Sequence, residues 1–326
     1  MPDSFPGSSS GLLAGEAEVL DDTRRRGRRP KRRADADFYE RPKTFGQWFR
    51  ATGWRHLVGV VMIVFSTFPL LFVLSSSLNP RGTLTGSNAL FSTVGIESYV
   101  RMLTDPNNPY ANWFVNTLVV ASVTAVATVF LGGLAAYSFS RMRFTGRRIG
   151  LVSIVIVQMF PQLLAVVALF LLMSAIGDWF PALGLDTHLG LIMVYLGGAL
   201  GVNTYLMYGF FNTIPASIDE AAKIDGAGHA RIFFTIILRL AAPILAVVAL
   251  LSFIASFSEF VIASVILIEP EKQTLAVGLT KMVSNPRYAD WSAFSAGAVL
   301  AALPVMALFL ILQKYIVGGL TAGAVK

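Results

Sequence analysis

The strongest constraint in this sequence is a set of six apolar stretches, each long enough for a helix to cross a bilayer. A hydrocarbon core of about 30 Å is spanned by roughly 20 helical residues, and backbone groups in lipid must be hydrogen-bonded within their own segment. None of the stretches alternates with the period of two typical of a barrel strand. The sequence therefore predicts an all-α integral membrane protein with six transmembrane helices, at Leu57–Leu78, Phe114–Ala136, Ile149–Ala175, Leu189–Phe211, Pro243–Leu267 and Phe294–Val317.

Composition points to the same class of protein. Hydrophobic residues make up 55% of the chain and charged residues only 14%, with a mean hydropathy of +0.64, whereas a water-soluble domain carries about a quarter charged residues. The chain has no cysteine, so we expect no disulfide framework and no cysteine-based metal site. His56, His188 and His229 are scattered, and neither a metalloprotease nor a nucleophile-elbow motif occurs. A membrane enzyme is thus a weak alternative, and we predict no catalytic residue, metal ligand or cofactor on this chain.

Residues 1–50 are rich in Ser, Gly, Pro, Arg and Asp without a periodic apolar face, which predicts a disordered basic tail before a six-helix domain at 51–326. The run Arg24–Arg33 is typical of a solvated tail, and contact with anionic lipid is the alternative. No aromatic residues interleave the run, so nucleic acid is not an expected partner. Thr44–Arg55, which holds four aromatic residues, is predicted to be an interfacial helix.

Basic residues predict how the chain is oriented. All but five of the 26 Lys and Arg lie in the tail, in the loops Tyr137–Arg148 and Asn212–Ala242, or near the C-terminus. The five on the other side are Arg81, Arg101, Lys272, Lys281 and Arg287. Cytoplasmic loops of membrane proteins carry an excess of Lys and Arg. With six spans, we therefore predict a multi-pass membrane protein with both termini in the cytoplasm.

The loop at residues 215–243 carries the most informative pattern. Ser217 and Glu220 have the spacing of a capping box at the start of a helix. Gly226 and Gly228 then interrupt the helix, which predicts a short helix, a tight turn and a second helix that runs to the membrane. Small residues beside acids make a compact surface that another protein can approach closely. An ordinary connector is the alternative.

This loop resembles the EAA loop of binding-protein-dependent ABC importer permeases, which have the type I (MetI-like) fold. The matching residues are Glu220, Ala221, Ala222, Asp225, Gly226, Phe233, Leu238 and Pro243. In that family the first helix of the loop couples the permease to an ATP-hydrolysing subunit, so the resemblance implies this role for Glu220–Gly226. The sequence departs from the pattern at Arg239, where the family often has proline, which leaves the bend into the fifth span open.

Other stretches are similar to the maltose/maltodextrin permease subunit of the MalG type. They include AYSFSRMRFTG (136–146), QMFPQLLAVVALF (158–170), GLDTHLGLIMVYLGG (184–198), SFIASFSEFVIAS (252–264), QTLAVGL (273–279) and GLTAGAVK (319–326). The resemblance covers most of residues 50–326, with a core transmembrane domain at about 112–314. It implies a MalF-like second permease, two MalK-like ATPase subunits that carry ATP and Mg, and an extracellular sugar-binding protein. It also implies that the chain lies in a bacterial cell (inner or plasma) membrane.

The resemblance also implies two further contact sites. The C-terminal tail would face the ATPase subunits, and the loop Ile268–Ser292 would enter the cleft of the binding protein. The residues concerned are Thr321, Ala322, Gly323 and Lys326 in the tail, and Asn285 and Pro286 at the tip of the loop.

Polar groups inside the predicted spans are candidates for a transport pathway. Glu259 is the only acidic residue in the middle of a span, where a charge costs several kcal/mol and must face protein or water. It is either a pathway residue or a hydrogen-bonded structural carboxyl. Gln158, Tyr195 and Asn203 are further candidates to line a cavity, although polar side chains also bridge packed helices.

These features predict the permease subunit of an ATP-driven ABC sugar importer, specific for maltose or maltodextrin and without enzymatic activity of its own. No GxxxxGK[ST] motif occurs, so ATP hydrolysis is expected on partner subunits. A permease for trehalose or another oligosaccharide is the nearest alternative. An ion-coupled secondary transporter is less favoured, because such proteins usually carry paired ionisable residues and inverted repeats.

Overall fold

The computed structural model describes residues 44–80, 90–285 and 289–324, and every regular element in these ranges is helical. The chain divides into two compact units, Met1–Ser66 and Thr67–Lys326. The helices are α1 (Trp54–Ser77), α2 (Glu97–Thr104), α3 (Tyr110–Arg141), α4 (Arg147–Gln158), α5 (Gln162–Trp179), α6 (His188–Phe211), α7 (Ala216–Ile224), α8 (His229–Leu240), α9 (Ala242–Ser258), α10 (Val261–Ile266), α11 (Leu275–Ser284) and α12 (Trp291–Ala324).

The predicted interfacial helix is helical and runs directly into α1. A turn of α-helix at Phe45–Trp48 and a π-helical turn at Phe49–Gly53 precede it. Most of the predicted tail, residues 1–43, lies outside the described residues.

Six spans can be formed by the described helices. Four are long and apolar enough to cross a membrane unaided, at Gly46–Ser77, Tyr110–Arg141, His188–Phe211 and Trp291–Ile316. Two bent helix pairs, α4 with α5 and α8 with α9, supply the other two spans if each pair is counted as one. This number agrees with the six apolar stretches of the sequence. The all-helical membrane fold is thus confirmed.

The third span is broken, although the sequence predicted a continuous helix there. α4 ends at Gln158, and α5 begins at Gln162 after Pro161. Proline has no N–H to donate and its ring clashes with the carbonyl four residues earlier, while the residue before it is driven out of the α conformation. The prediction of one uninterrupted helix over Ile149–Ala175 was wrong because apolarity alone does not report this break.

The fifth span has a sharp bend at its start. α8 and α9 meet at 81°, with Ala241 at φ −89° and ψ 3°. Pro243 lies in the first turn of α9, so the carbonyl of Arg239 loses its helical donor. The sequence left open whether the chain bends here, because Arg239 stands where the family often has proline. The bend is present, and we attribute it to Pro243.

The fifth span is also interrupted further along. α9 ends at Ser258, and Glu259 is extended with φ −70° and ψ 127°. The chain resumes as the short helix α10 at Val261. The predicted span Pro243–Leu267 is thus two helices, and its one acidic residue lies at the break between them.

The core is built around α3, which packs between α6 and α9. Three apolar clusters occupy successive parts of the bundle. One of them fills the base of the loop at residues 215–243 and includes Tyr137, Phe211, Ile214, Phe233 and Ile237. Large apolar side chains elsewhere are exposed on α1, α4 and α5, as expected for surfaces that face lipid or a second membrane protein.

Candidate coupling loop and polar sites within the spans

The first helix of the candidate coupling loop, α7, begins directly after Pro215. Pro215 is its N-cap, with φ −56° and ψ 131°, and no side chain caps the helix. Ser217 therefore lies within the first turn, whereas a capping side chain must come from a residue outside the helical conformation. The capping box predicted for Ser217 and Glu220 was wrong, because the proline places the helix start one residue before Ser217.

α7 ends in a Schellman motif that depends on Gly226. The Ala227 N–H donates to the Ala222 carbonyl at 2.9 Å and the Gly226 N–H to the Lys223 carbonyl at 3.0 Å, the two bonds that define the motif. Gly226 has φ +79°, a left-handed conformation that favours glycine. A Cβ at this position would meet no atom within 4 Å. The glycine interruption predicted from the sequence is confirmed, and its cause is backbone conformation rather than lack of space.

A buried ion pair fixes α7 to the end of α3. The Arg141 Nε lies 2.5 Å from the Asp219 Oδ2, and the two side chains are only 11% and 7% exposed. The Arg141 Nη2 also donates to the Ile214 carbonyl at 2.8 Å. Neither residue was among the sequence predictions. In the sequence they are visible only as an arginine at the end of one span and an aspartate beside Glu220. Their contact is seen only in the folded structure.

Apolar residues pack against the inner side of the same loop. Ala222 is on the inner face of α7 and belongs to the cluster at the loop base. The rings of Tyr137 and Phe233 lie 5.2 Å apart, and the Tyr137 hydroxyl is 3.3 Å from the His229 Nδ1. Phe233 starts a π-helical stretch, Phe233–Ile237, within α8. α7 therefore packs against a buried apolar cluster and is not an isolated helix within a connecting loop.

The opposite face of the loop is open to solvent. From residue 220 to residue 226, every residue except Ala222 is exposed. The structure thus brings four of the five predicted coupling residues to one outward surface and places Ala222 in the core. Ile224 was not predicted, and it is 87% exposed. A solvent-exposed isoleucine beside charged residues, on a helix whose other face is packed, is suited to contact with another protein.

Two of the predicted pathway residues meet at the break in the fifth span. The Tyr195 hydroxyl donates to the Glu259 Oε2 at 2.7 Å. The backbone N–H groups of Ile262 and Ala263 donate to the same carboxylate at 2.8 Å and 2.9 Å. Glu259 thus satisfies donors in the first turn of α10, which have no partner within the helix. The Glu259 carboxylate is therefore hydrogen-bonded, and its role in the pathway stays a prediction.

The other two predicted pathway residues have different partners on α6 and α9. The Asn203 Nδ2 donates to the Ser252 Oγ at 3.0 Å and to the Ala199 carbonyl at 2.8 Å, which bridges α6 to α9. The Gln158 Nε2 donates to the Gly198 carbonyl at 2.6 Å. A Cβ at Gly201 would collide with the Gln158 side chain.

Gln158 also lines a cavity of about 410 Å³ between α3, α4 and α6, together with Ser153 and Thr204. Of the four predicted pathway residues, it is the one that lines this cavity.

The predicted binding-protein loop contains helical structure. It includes a 3-10 turn at Pro270–Lys272 and the helix α11, whose Leu275 and Val277 are buried. Lys272 lies 2.8 Å from a Glu269 carboxylate oxygen, and a hydrogen bond to that carboxylate raises the pKa of Lys272. Asn285 follows α11 and is exposed, whereas Pro286 lies outside the described residues.

The predicted ATPase-facing tail is partly described. The backbone is helical to Ala324 at the end of α12, so Thr321, Ala322 and Gly323 belong to this helix. Lys326 lies outside the described residues.

Comparison with known proteins identifies the family of this fold and loop. Residues 128–321 match the family model of the binding-protein-dependent transport system inner membrane component. The chain belongs to this family of ABC importer permeases, whose members are transport components and not enzymes.

Several curated relatives cover most of the chain. The maltodextrin transport system permease protein MdxG of Bacillus subtilis is 41% identical over 270 residues, which is 83% of this chain and 93% of that protein. The galactooligosaccharides transport system permease protein GanQ of the same organism is 38% identical over 83% of this chain and 94% of its own length. The maltose/maltodextrin transport system permease protein MalG of Escherichia coli K12 is 40% identical with the same two coverages.

Solved structures agree with the fold. A chain of a bacterial ABC transporter involved in alginate import superposes with a TM-score of 0.70 at 26% identity, over 84% of this chain and 99% of that chain. A second chain, from an alginate transporter in complex with a substrate-bound periplasmic protein, has a TM-score of 0.60 at 14% identity and supports the fold alone. The type I importer fold expected from the sequence is confirmed.

Proposed function

We propose that this chain is one of two permease subunits of an ATP-driven maltodextrin importer. The observation that supports the proposal is a candidate coupling loop with one face packed and one face exposed, in a chain that is 40–41% identical to permeases named for maltose and maltodextrin. Its partners would be a MalF-like permease, two MalK-like ATPase subunits and an extracellular sugar-binding protein. ATP and Mg would be bound by the ATPase subunits.

In the proposed mechanism, α7 passes force from the ATPase subunits to the bundle. ATP-driven closure of those subunits would move the surface formed by Glu220, Ile224 and Asp225. Because Arg141 and Asp219 join α7 to the end of α3, and Phe233 packs beneath it, this movement would shift α3 and α8 with the loop. The bend at Pro243 would then relay it to the fifth span. This mechanism requires both termini and α7 to be cytoplasmic.

The proposed path for sugar is shared with the partner permease. On this chain, the cavity beside Gln158 is the best candidate for a path surface, because the amide lies among Ser153 and Thr204. We propose that Tyr195, Asn203 and Glu259 hold the helices around it. The tail residues Thr321, Ala322 and Gly323 would approach the ATPase subunits, and Asn285 the binding protein.

Reconstitution of the complete transporter tests both the activity and the substrate. The four membrane and ATPase subunits are placed in proteoliposomes with the binding protein, and ATP-dependent uptake of labelled maltotriose, galactotriose, trehalose and an alginate trisaccharide is measured. We expect uptake of maltotriose in preference to the others. Preferential uptake of galactotriose would contradict the proposed maltodextrin specificity but would still agree with an ATP-driven sugar importer. Uptake that persists with a catalytically inactive ATPase and collapses with the ion gradient would contradict the importer itself.

A further inference from the structure

The short connection between α3 and α4 concentrates positive charge. Arg143, Arg147 and Arg148 lie within six residues of one another, and Arg143 and Arg148 are exposed. Among the described residues, the ion pairs involve other side chains, so none of the three arginines is neutralised by a described carboxylate. Gly146, with φ +88°, turns the chain between them. The connection therefore presents a compact cationic surface.

The start of α4 strengthens this positive field. Arg147 and Arg148 are the first two residues of the helix, its first turn has no acidic residue, and no side chain caps it. The N-terminus of a helix carries about half a positive charge, so acidic residues are normally favoured there and cations are not. Two arginines at this position repel both the helix dipole and each other. The Arg147 N–H already donates to the Phe144 carbonyl at 3.4 Å. A bound anion would relieve the repulsion and accept hydrogen bonds from the other N–H groups of the first turn, which point away from the helix.

Two adjoining cavities show where an anion can be accommodated. The first, of about 500 Å³, is lined by Phe144, Gly146, Arg147, Arg148, Leu151 and Tyr208 and has no acidic lining residue. The Arg147 guanidinium lies 5.9 Å from the centre of the Tyr208 ring, with its Nη2 3.4 Å from the Tyr208 hydroxyl.

The second cavity, of about 360 Å³, shares Arg147 and reaches α7. It contains the acids Asp219, which is paired with Arg141, and Glu220, together with the cations Arg143 and Lys223. The acid-free first cavity is the better anion site.

Apolar side chains continue directly from the cationic surface. Phe144 is 46% exposed, and on α4 the residues Ile149, Val152 and Ile156 are 73%, 50% and 60% exposed. The spacing of the last three places them on one face of the helix. A soluble acidic partner would gain nothing from this apolar strip, whereas the acyl chains of a lipid would cover it.

We propose that Arg147, Arg148 and the N-terminus of α4 bind the phosphate of an anionic phospholipid, with its acyl chains along Ile149, Val152 and Ile156. The lipid would lie in the leaflet on the α7 side of the membrane. Because the neighbouring cavity contains Glu220 and Lys223, a lipid at Arg147 lies next to the candidate coupling helix. Basic pockets at a membrane surface gain about 1 kcal/mol per Lys or Arg from anionic lipid.

The test uses the purified complete transporter in non-ionic detergent. Its thermal unfolding midpoint is titrated with dioctanoyl phosphatidylglycerol, with dioctanoyl phosphatidylcholine and with inorganic phosphate, and retained lipid is counted by native mass spectrometry. We expect stabilisation by phosphatidylglycerol alone. The double variant R147Q/R148Q should weaken its apparent affinity about 30-fold and the exposed single variant R148Q about fivefold. The charge-matched control R231Q/R239Q changes two exposed arginines of α8 and should bind like the parent.

Each contrary result has a defined meaning. Unchanged phosphatidylglycerol affinity in R147Q/R148Q and R148Q would overturn the site, as would equal stabilisation by phosphatidylcholine. Equal stabilisation by inorganic phosphate would overturn the lipid in favour of a free anion. Loss of ATPase co-purification in R148Q with unchanged lipid retention would instead assign the arginines to a protein contact. If the double variant does not assemble, the phosphatidylglycerol affinity of R148Q is compared with that of the single control variant R231Q. A weaker affinity in R148Q supports the site, and equal affinities overturn it.

Discussion

Two carboxylates, one buried and one half-buried, illustrate how this protein treats charge in different surroundings. Asp219 is a buried residue of α7 in the candidate coupling loop, with its side chain 7% exposed, and it is matched by the full charge of Arg141. Glu259 lies at a break in the fifth span and is matched by neutral donors, the Tyr195 hydroxyl and the N–H groups of Ile262 and Ala263. One carboxylate is held by a countercharge and the other by a helix terminus.

The difference follows from what each site has available. At the end of α3, arginine can reach across to another segment while the surrounding loop remains close to water. Within a span, a second charge would need its own desolvation, which is costly in lipid. The broken helix instead supplies N–H groups that would otherwise lack partners. The comparison predicts that neutral isosteres have unequal effects at the two positions.

The largest effect is expected at the ion pair. Asp219→Asn or Arg141→Met alone leaves one buried charge unpaired, which costs about 3–5 kcal/mol. The combined change R141M/D219L removes both charges and should recover most of the loss. Thermal unfolding of the purified complex measures each variant, with R231Q as a control at an exposed arginine. A double variant as unstable as either single variant would show that the two residues act separately.

A smaller effect is expected at Glu259. Glu259→Gln keeps an oxygen that accepts one or two of the three hydrogen bonds, so we expect a loss of about 1–2 kcal/mol, and about 1 kcal/mol for Tyr195→Phe. Glu259→Leu should be worse, because it leaves two N–H groups unpaired. The same unfolding assay applies. If Glu259→Gln proves as damaging as Asp219→Asn, the carboxylate depends on its charge, and the contrast between the two sites fails.

At Gly226, function should respond more than stability. Gly226→Ala places a side chain at φ +79° and should cost about 1 kcal/mol, while Gly226→Asn, which tolerates this conformation, should cost less. ATPase activity and sugar uptake in proteoliposomes separate conformation from bulk. If docking requires the bare surface, Asn and Val uncouple hydrolysis from uptake more than Ala. Unchanged uptake and ATPase rates in Gly226→Val would contradict a contact with the ATPase at this turn.

The smallest effect is expected at Ser217. Its side chain does not cap α7, so Ser217→Ala should change the free energy of unfolding by less than about 0.5 kcal/mol. A cap would instead contribute about 1 kcal/mol. Thermal unfolding of Ser217→Ala is measured alongside that of Asp219→Asn, a variant on the same helix with a large expected loss of stability. A loss of about 1 kcal/mol or more at Ser217 would restore the capping box.

Local signals account for what could be predicted of the candidate site. The glycine at 226 stops α7 because few other residues adopt its conformation, and this depends on the residue itself. The ion pair could not be predicted, because the sequence offers several arginines, Arg141, Arg143, Arg147 and Arg148 among them, that were equally plausible partners for Asp219. The exposed position of Ile224 was missed for the same reason: its surroundings are set by where α7 packs.

The sequence by itself determined that the chain is helical, spans a membrane and carries an EAA-like loop at residues 215–243, because apolar length and a spaced motif are properties of consecutive residues. Only the tertiary structure decided that Arg141 lies against the Asp219 carboxylate and that the Tyr195 hydroxyl donates to Glu259. The physical reason is that a buried polar group is stabilised by partners from other helices, and their identity depends on how the helices pack.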